Sequence, residues 1–446
     1  MTNNASESRS APARLRAAIG VYAEPKVLAV LFLGFSSGLP LGLTGQTLAV
    51  WMRESGVSLA TIGFFALVGL PYVLKFLWAP AIDAIAIPWL GRRLGRRRAW
   101  LVTTQIALML AIAALGLNDP VAHPLTTAAL ALVVTFCSAS QDIVVDAFRV
   151  ESLDASRFAA GMADYVAGYR VALLAATAGA FEIAAQFQGA GLPGRGGWSA
   201  TYAVMAALVL LGTVTTLLSS EPEDRDAARR ASEPFRRRLQ AAVVEPFVEF
   251  SRRPGWLVVL GFVVLFKFGD SMAGIMTAPF VLDLGFDKTE YGRVVKLFGF
   301  AATLAGGFAG GSLQRTAGVV RSLWIAGIGQ MAANLMFVWL AHQGADTPSL
   351  ILTIGVENFA SGFGTVVFVA YLSGLCRERA YTATQYALLS ALAAVGRTVL
   401  SAYAGWLAEH VGWSGFFLLA GSAALPGLAL LWWLTRRGRL GEAPAV

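Results

Sequence analysis

Residues 124–148 read PLTTAALALVVTFCSASQDIVVDAF, a segment long and apolar enough to cross a membrane as one helix. Ser138, Asp142, Asp146 and Arg149 recur along it at helical spacing and form one polar stripe. A carboxylate in hydrocarbon costs at least ~2.5 kcal/mol even on the mildest insertion scale. We therefore expect the stripe to face the interior of a helix bundle or a wet cavity, and it is the first candidate for a functional site.

The composition indicates a membrane protein with many spans. Of 446 residues, 56% are hydrophobic and 14% are charged, and the 47 glycines suit closely packed membrane helices. About twelve segments reach the ~20 apolar residues that one crossing needs. Their expected limits are 27–51, 60–82, 99–117, 124–148, 158–187, 199–218, 255–282, 289–313, 322–341, 349–375, 380–408 and 413–434. The expected fold class is an all-α membrane protein.

The basic residues predict the orientation in the membrane. Lys and Arg outside the spans divide roughly 26 to 3 between the two sides, and the poor side holds Arg53, Arg195 and Lys288. The rich side therefore faces the cytoplasm, with both termini cytoplasmic. The N-terminal stretch lacks the apolar core of a signal peptide, so we expect it to stay as a tail. This placement of charge explains the formal net charge of +8 without a nucleic acid partner.

The chain divides near its middle, where the sequence turns strongly charged. We expect two six-helix halves, a cytoplasmic linker and two cytoplasmic tails, with bounds 1–26 (tail), 27–218, 219–254 (linker), 255–434 and 435–446 (tail). Weak echoes at offsets of 229 and 227 residues, Gly63 with Gly292 and Arg170 with Arg397, indicate that the halves are repeats. Parallel six-helix repeats with substrate between them describe a secondary transporter.

Six cationic side chains lie inside the predicted spans, where a charge is costly. They are Lys75, Arg170, Lys267, Arg293, Lys296 and Arg397. Arg293 lies about one turn from a helix end, so its side chain can reach the interface. Arg170, Lys267 and Arg397 are expected near the midplane, where each needs an anionic partner from the protein or from a substrate. Lys267 and Asp270 are three residues apart, and they form either a structural ion pair or part of a substrate site.

The acidic residues inside the spans have two possible roles. Asp142 can form a permanent ion pair with Lys75, which lies at a similar depth. Alternatively, Asp142, Asp146 or Glu357 can load a proton on one side of the membrane and release it on the other. Asp142 and Asp146 repel each other on one helix face, so one of them is expected to carry a proton unless cations neutralise both. Asp142 is the deeper of the two and the better candidate.

The sequence also resembles a known family. Asp83, followed by Gly91, Arg92 and Arg93, resembles the cytoplasmic loop signature of the major facilitator superfamily, and we expect Asp83, Arg92 and Arg93 to act as gating charges between helix ends. The run FCSASQDIVVDA at 136–147 looks like the fourth-helix signature of AmpG-type muropeptide permeases. Further AmpG-like stretches are GFF at 63–65, YVLKFLW at 72–78, FKFGD at 266–270, TQYALLSAL at 384–392 and VGR at 395–397.

The resemblance implies a major facilitator fold of about twelve helices in two pseudo-symmetric six-helix bundles. It also implies a bacterial inner-membrane symporter that uses protons to import anhydro-muropeptides (GlcNAc-anhydroMurNAc peptides) for peptidoglycan recycling, feeding β-lactamase induction where that system is present. Gln141, Asp142 and Asp146 are then candidates for substrate and proton handling. Two alternatives stay open, a proton-coupled exporter of drugs or metabolites and a transporter of another anionic solute such as acetyl-CoA.

A muropeptide offers carboxylates to the midplane cations and sugar rings to Trp51, Tyr72 or Tyr169. The candidate substrate contacts are therefore Lys75, Ser138, Gln141, Arg170, Lys267, Asp270, Lys296, Arg397, Tyr72, Tyr169 and Trp51. The sequence contains no P-loop motif and no nucleophile with a histidine partner, so we expect neither an enzyme nor a bound cofactor or metal, and the proton gradient supplies the energy. Besides substrate, protons and membrane lipids we expect no partner, and the chain should act as a monomer.

Overall fold

The computed structural model of the chain describes residues 21–85, 87–222, 255–375 and 398–437, with short pieces at 248, 251–252, 389 and 391–394. All regular elements in these ranges are helical. Eleven described helices are long and apolar enough to cross a membrane: α1 Pro25–Glu54, α2 Leu59–Leu77, α3 Arg96–Leu117, α4 Pro124–Ser152, α5 Asp164–Gly189, α6 Arg195–Leu218, α7 Trp256–Asp283, α8 Lys288–Gln314, α9 Thr316–Gln343, α10 Thr347–Leu372 and α11 Ala404–Arg436. The predicted all-α membrane fold is confirmed.

The predicted span 380–408 falls largely on residues outside the described ranges, although 391–394 and 398–401 are helical. Its last residues begin α11, which Gly412 divides at φ 69° before the final predicted span. Gly318, at φ 79°, turns the chain in the same way two residues after the start of α9, because glycine tolerates positive φ. Most of the predicted linker also lies outside the described residues, so its division of the chain stays a prediction.

Several spans depart locally from α-helical geometry. Wider π turns occur in α1, α5 and α8, at Leu43–Thr47, Ala175–Gly179 and Gly292–Phe298. Tighter 3₁₀ turns occur in α2, at Phe65–Gly69 and Lys75–Leu77. The helix that contains α5 starts at Ala155, and short helices outside the spans are Val21–Ala23, Ala79–Ala84 and Leu90–Leu94. Such turns interrupt the regular spacing of side chains and are frequent at functional sites.

Helices α1 and α5 pack together through glycines. A Cβ atom added at Gly168 of α5 would lie 2.0 Å from the carbonyl oxygen of Leu31 in α1. On the facing helix α1, a Cβ atom added at Gly34 would lie 2.4 Å from the carbonyl oxygen of Tyr165 in α5. One added at Gly38 would lie 2.5 Å from the carbonyl oxygen of Tyr169. Small residues let two membrane helices approach this closely. The contact fixes the two tyrosines beside α1.

One end of the bundle, which we call the basic end, is defined by Arg96, Arg97, Arg98, Arg149 and Arg157. Arg97 pairs with Glu151 at the end of α4, where its Nη2 lies 2.6 Å from Oε1. Glu221 accepts hydrogen bonds from the backbone N–H groups of Arg97 and Arg98 at 2.7 and 3.0 Å, which caps α3 and neutralises the positive end of its dipole. These contacts join α3, α4 and the segment after α6.

The opposite end, which we call the far end, joins helices α1–α6 to helices α7–α11. Arg53 at the end of α1 pairs with Asp283 of α7 at 2.5 Å, and its neighbour Glu54 pairs with Lys288 of α8 at 2.8 Å. The two pairs are crossed, because α1 supplies one cation and one anion to opposite charges on two different helices.

Lys288 inserts its ammonium among the N-terminal helices. Only 7% of this residue is exposed. Besides Glu54, its Nζ donates a hydrogen bond to Gln188 Oε1 of α5 at 2.6 Å, and it lies 5.5 Å from the centre of the Trp198 ring. The Trp198 indole donates to the second oxygen of Glu54 at 2.9 Å. The ammonium of Lys288 on α8 is therefore stabilised by side chains of α1, α5 and α6.

Backbone contacts tighten the same end. A Cβ atom at Gly405 of α11 would lie 1.7 Å from the carbonyl oxygen of Leu59 in α2, and Glu409 accepts a hydrogen bond from the Ala60 N–H at 3.0 Å. Five hydrogen bonds and ion pairs between described residues of α1–α6 and α7–α11 lie in the far half of the bundle. In the described part of the chain, the two sets of helices are thus joined at one end.

We expect Gly168→Ala to lower the melting temperature of the purified protein in detergent. The added methyl group would overlap the Leu31 carbonyl oxygen, and overpacking costs about 1–3 kcal/mol. Gly329→Ala is the matched control, because a Cβ atom there meets nothing within 4 Å and alanine favours the helix. Thermal unfolding of both variants measures the difference. A Gly168→Ala protein as stable as the control variant would contradict the close α1–α5 contact.

We also expect Arg53→Asp to loosen the far end, because it sets two carboxylates against each other at Asp283. A small cavity of about 240 Å³ lies behind this closure and is lined in part by Ala49. In protein without Cys137 and Cys376, maleimide labelling of a cysteine introduced by Ala49→Cys should become roughly tenfold faster, which corresponds to about 1.4 kcal/mol. The swapped variant Arg53→Asp/Asp283→Arg should restore slow labelling. Fast labelling of the swapped variant would show that the ion pair does not hold the closure.

Candidate functional site

Four charged side chains lie together in the N-terminal helices, Lys75, Asp142, Asp146 and Arg149, a group that we call the charge cluster. Lys75 Nζ lies 3.8 Å from an oxygen of Asp142 and 3.9 Å from an oxygen of Asp146. Arg149 Nη2 lies 3.2 Å from the other oxygen of Asp146. The ion pair expected between Lys75 and Asp142 is present, and Lys75 shares it with Asp146.

The depth of the charge cluster follows from its place on α4. Asp142 lies ten residues before the end of α4, or about 15 Å at ~1.5 Å per residue. Only 8% of Asp142 is exposed, whereas 47% of the Asp146 side chain is exposed. The deeper carboxylate is thus shielded, and the shallower one is open towards the basic end.

Two side-chain contacts hold the cluster's helices in register. The Trp78 indole, one turn after Lys75, donates a hydrogen bond to Ser140 Oγ of α4 at 3.0 Å, and its ring contacts Phe136 with centroids 4.9 Å apart. On the neighbouring face of α4, the fully buried Gln141 exchanges hydrogen bonds with Ser36 of α1 at 3.2–3.4 Å. Gln141, expected to contact substrate, is therefore engaged between two helices.

Three tyrosines surround Asp142. Tyr72 of α2 and Tyr165 and Tyr169 of α5 all lie close enough to interact electrostatically with its carboxylate. The rings of Tyr165 and Tyr169 are 6.1 Å apart, and the Arg149 guanidinium lies 4.7 Å from the centre of the Tyr165 ring. Tyr72 and Tyr169 were expected here, whereas the sequence analysis missed Tyr165. Its position four residues before Tyr169 was the signal that could have identified it.

Several buried polar atoms in and around the charge cluster form no hydrogen bond of good geometry in the described part of the chain, although Ser37 lies close to Asp142 and Ser138 lies close to Tyr72. They are Ser37 Oγ, Tyr72 Oη, Ser138 Oγ, Asp142 Oδ1 and Arg149 Nε. A buried polar group without a partner costs about 1–3 kcal/mol, and most such groups in proteins are satisfied. Donors and acceptors concentrated in one place are thus available to a polar ligand. Ser37 of α1 is a second residue that the sequence analysis missed.

Arg170 follows Tyr169 on α5 and is exposed. Within the described residues no ion pair or hydrogen bond occupies its guanidinium. An arginine near the middle of a membrane helix requires water or an anion. Its place beside Tyr169 makes it available to a carboxylate that enters next to the charge cluster.

The C-terminal pair Lys267 and Asp270 is arranged differently. Lys267 lies where α7 is interrupted between Leu265 and Phe268, and only 5% of it is exposed. Its Nζ lies 2.6 Å from Asp270, which also accepts a hydrogen bond from the Ser361 hydroxyl of α10 at 3.1 Å. This geometry favours the structural ion pair over the substrate site, the two alternatives that the sequence left open.

The remaining candidates are spread through the molecule. Glu357 of α10 accepts a hydrogen bond from the Asn358 side chain at 2.7 Å and interacts with Tyr291 of α8. Trp51 is fully buried against Trp198 and Tyr202, with ring centroids 6.1 and 5.2 Å away, so protein covers the face expected to meet a sugar.

Of the gating candidates, Arg92 and Arg93 are exposed, and the Arg93 guanidinium lies 4.5 Å from the centre of the Trp89 ring. The side chains of Asp83 and Lys296, and the whole of Arg397, lie outside the described residues. Among the described residues, no group of three or more His, Cys, Asp and Glu side chains suits a metal ion.

Comparison with solved structures shows the fold. The structure of nucleoside transporter NupG has a TM-score of 0.65 and 13% identity, covering 91% of this chain and 98% of that one. The structure of a D-xylose–proton symporter has a TM-score of 0.63 and 13% identity, covering 92% of this chain and 97% of that one. At this identity the similarity concerns the arrangement of the helices alone.

Comparison of sequences shows the family. The family model of the Major Facilitator Superfamily matches residues 30–356 and 263–445. The anhydromuropeptide permease of Escherichia coli K12 is 42% identical over 413 residues, which cover 92% of this chain and 80% of the relative. The putative transporter AmpG 4 of Rickettsia felis is 34% identical over 418 residues, covering 94% and 98%. The chain therefore belongs to the major facilitator superfamily and, within it, to the family of the anhydromuropeptide permease.

Proposed function

We propose that this chain imports anhydromuropeptides, the GlcNAc-anhydroMurNAc peptides, together with protons, for peptidoglycan recycling. The observation that carries the proposal is the 42% identity with the anhydromuropeptide permease of Escherichia coli over 92% of this chain. The AmpG-like run on α4 contributes Asp142 and Asp146 to the charge cluster. Where the host has an inducible β-lactamase, the same import feeds its induction.

The proposed orientation in the membrane rests on the placement of the basic residues, and the inward proton gradient then sets the direction of transport. The excess of Lys and Arg at the basic end supports a cytoplasmic position for that end and for both termini in a bacterial inner membrane. Since the described polar contacts between the two sets of helices lie at the far end, we infer that this state is open to the cytoplasm, where it would release an imported substrate. Transport then requires the far-end contacts to break while the basic end closes, with 219–254 linking two moving halves. Both halves belong to one chain, so a monomer suffices and no cofactor is needed.

Asp142 is the proposed proton carrier. Asp146 has two cationic neighbours, Lys75 at 3.9 Å and Arg149 at 3.2 Å, which favour its ionised form. Asp142 has Lys75 alone among the described cations, at 3.8 Å, and its other close neighbours are uncharged hydroxyl groups. The carboxylate that is deeper and less neutralised is the one that gains more from a proton.

The surroundings of Asp142 suit the chemistry of a muropeptide. Tyr72, Tyr165 and Tyr169 offer ring faces and hydroxyls to the sugars, and Ser138 offers a buried hydroxyl beside Tyr72. Arg170, exposed beside Tyr169, is the proposed contact for a carboxylate of the stem peptide.

The function itself is tested by uptake of GlcNAc-anhydroMurNAc-tripeptide into proteoliposomes with and without an imposed pH gradient. Accumulation inside only when the gradient drives protons inward supports the proposal. Movement of the tripeptide against the proton flow in oriented vesicles would favour the exporter instead. No movement under either gradient would overturn muropeptide transport by this chain.

We predict that Asp142→Asn abolishes gradient-driven accumulation of this tripeptide while leaving the protein folded and able to bind it, because the amide mimics the protonated carboxyl. Asp119→Asn is the matched control, since Asp119 lies in a far-end loop where it accepts hydrogen bonds from the Val121 and Ala122 N–H groups. Uptake and melting temperature are measured for both. Concentration of the tripeptide by Asp142→Asn would remove Asp142 as the coupling residue and make Glu357 the next candidate.

We also predict that Arg170→Ala weakens binding of the tripeptide by about 10- to 100-fold, the loss expected for a charged hydrogen bond of about 1.5–3 kcal/mol. Binding of an analogue whose carboxylates are converted to carboxamides should change far less. Arg195→Ala serves as control, because Arg195 is paired with Asp119 at 3.6 Å within α1–α6, outside the contacts that join the two sets of helices. Isothermal titration calorimetry gives the Kd values. Equal losses for both ligands would assign Arg170 a structural role.

A further inference from the structure

The ammonium of Lys75 is held less tightly than other membrane lysines. Its two carboxylate neighbours lie at 3.8 and 3.9 Å, beyond the 2.7–3.2 Å of ordinary hydrogen bonds. Lys267 and Lys288, by contrast, contact their carboxylates at 2.6 and 2.8 Å. About a third of the Lys75 side chain is also exposed. Lys75 thus lies between two partners, is bonded closely to neither, and is free to move.

The charges of the cluster cancel. Lys75 and Arg149 contribute two positive charges, and Asp142 and Asp146 contribute two negative charges. The other groups that face Asp142 are the hydroxyls of Ser37 on α1, Tyr72 on α2 and Tyr165 and Tyr169 on α5, which are uncharged near neutral pH. Arg170 lies beyond Tyr169. An anionic substrate therefore meets a cluster without net charge.

A proton on Asp142 changes this balance. The carboxyl becomes neutral and no longer attracts Lys75, while Asp146 remains paired with Arg149 at 3.2 Å. The cluster then carries one unbalanced positive charge on the one cation that is loosely held and partly exposed. A carboxylate of the substrate would restore neutrality.

We propose that Lys75 couples the proton to the substrate by exchanging partners, leaving Asp142 for a carboxylate of the substrate when Asp142 is protonated and returning when the proton departs. This inference rests on the proposed function. In each cycle the carboxylate of Asp142 takes up one proton from one side and loses it to the other, and one ion pair replaces another. No covalent bond changes apart from the O–H bond.

The exchange predicts that neither ligand crosses alone. The empty cluster and the fully loaded cluster are both neutral, whereas a cluster with only the proton has one excess positive charge and a cluster with only the carboxylate has one excess negative charge. An unbalanced charge is costly inside a membrane, where little water is present to screen it. We therefore expect the conformational change to disfavour the half-loaded states, which would couple movement of the substrate to movement of the proton.

The experiment measures equilibrium binding of GlcNAc-anhydroMurNAc-tripeptide and of its carboxamide analogue to the purified full chain across the acid to neutral range. For the wild-type protein, affinity for the tripeptide should rise as the pH falls, approaching about tenfold per pH unit for one linked proton. Affinity for the carboxamide analogue should change little. Asp142→Asn should bind the tripeptide tightly at every pH, because Lys75 is then permanently available.

Substitution of Lys75 separates this role from a purely structural one. Lys75→Gln/Asp142→Asn removes one charge of each sign, so the cluster stays neutral and the protein is expected to fold. It should bind the tripeptide without pH dependence and at least tenfold more weakly than Asp142→Asn alone, while its affinity for the carboxamide analogue should be about that of Asp142→Asn, so that only the preference due to Arg170 remains. Lys75→Arg should retain most of the preference for the tripeptide.

The outcomes distinguish the two proposals. If the double variant keeps the preference of Asp142→Asn for the tripeptide, or if Lys75→Gln keeps the wild-type pH dependence, partner exchange at Lys75 is wrong while muropeptide import stands. If the wild-type protein binds neither ligand and takes up no tripeptide, the proposed function itself fails, and the inference fails with it.

Discussion

The ammonium of Lys75 between the carboxylates of Asp142 and Asp146 is the constraint around which the N-terminal helices are arranged. Charges inside a membrane must be balanced nearby, so α2 has to bring its lysine to the polar face of α4. The hydrogen bond from Trp78 to Ser140 fixes that approach. The glycine contact between α1 and α5 then places the tyrosines around the same carboxylate. Packing and charge thus select one arrangement together.

The two ends of the molecule are held by different kinds of contact. At the basic end, the described ion pairs join helices of the same set, as with Arg97 and Glu151. At the far end they join the two sets, through Arg53 with Asp283 and Lys288 with Glu54. When the helices separate, water can replace the hydrogen bonds of these polar groups. An apolar interface would instead expose hydrophobic surface to water, which costs more free energy. The far end can therefore close firmly and still open.

The sequence predicted the spans and the charge cluster because both follow from local rules. Apolar length gives the spans, and helical spacing places Asp142 and Asp146 on one face, at a depth that matches Lys75. The packing of Trp51 was not predicted, because residue type does not reveal that Trp198 lies against the ring proposed to contact a sugar. The crossed pairs at the far end were missed, since Arg53 and Lys288 are far apart in the chain and only tertiary packing brings them to their partners.

The crossed pairs also determine how precisely the two sets of helices align at the far end. Arg53 and Glu54 are neighbours of opposite sign, and their partners Asp283 and Lys288 lie on different helices. If the two sets of helices met one position out of step, Arg53 would approach Lys288 and Glu54 would approach Asp283, so both contacts would become repulsive. Two like-signed pairs or two apolar patches would tolerate such a slip. The alternation of sign therefore favours one alignment of the two sets of helices. In the proposed transport cycle, helices that separate and meet again would return to that alignment.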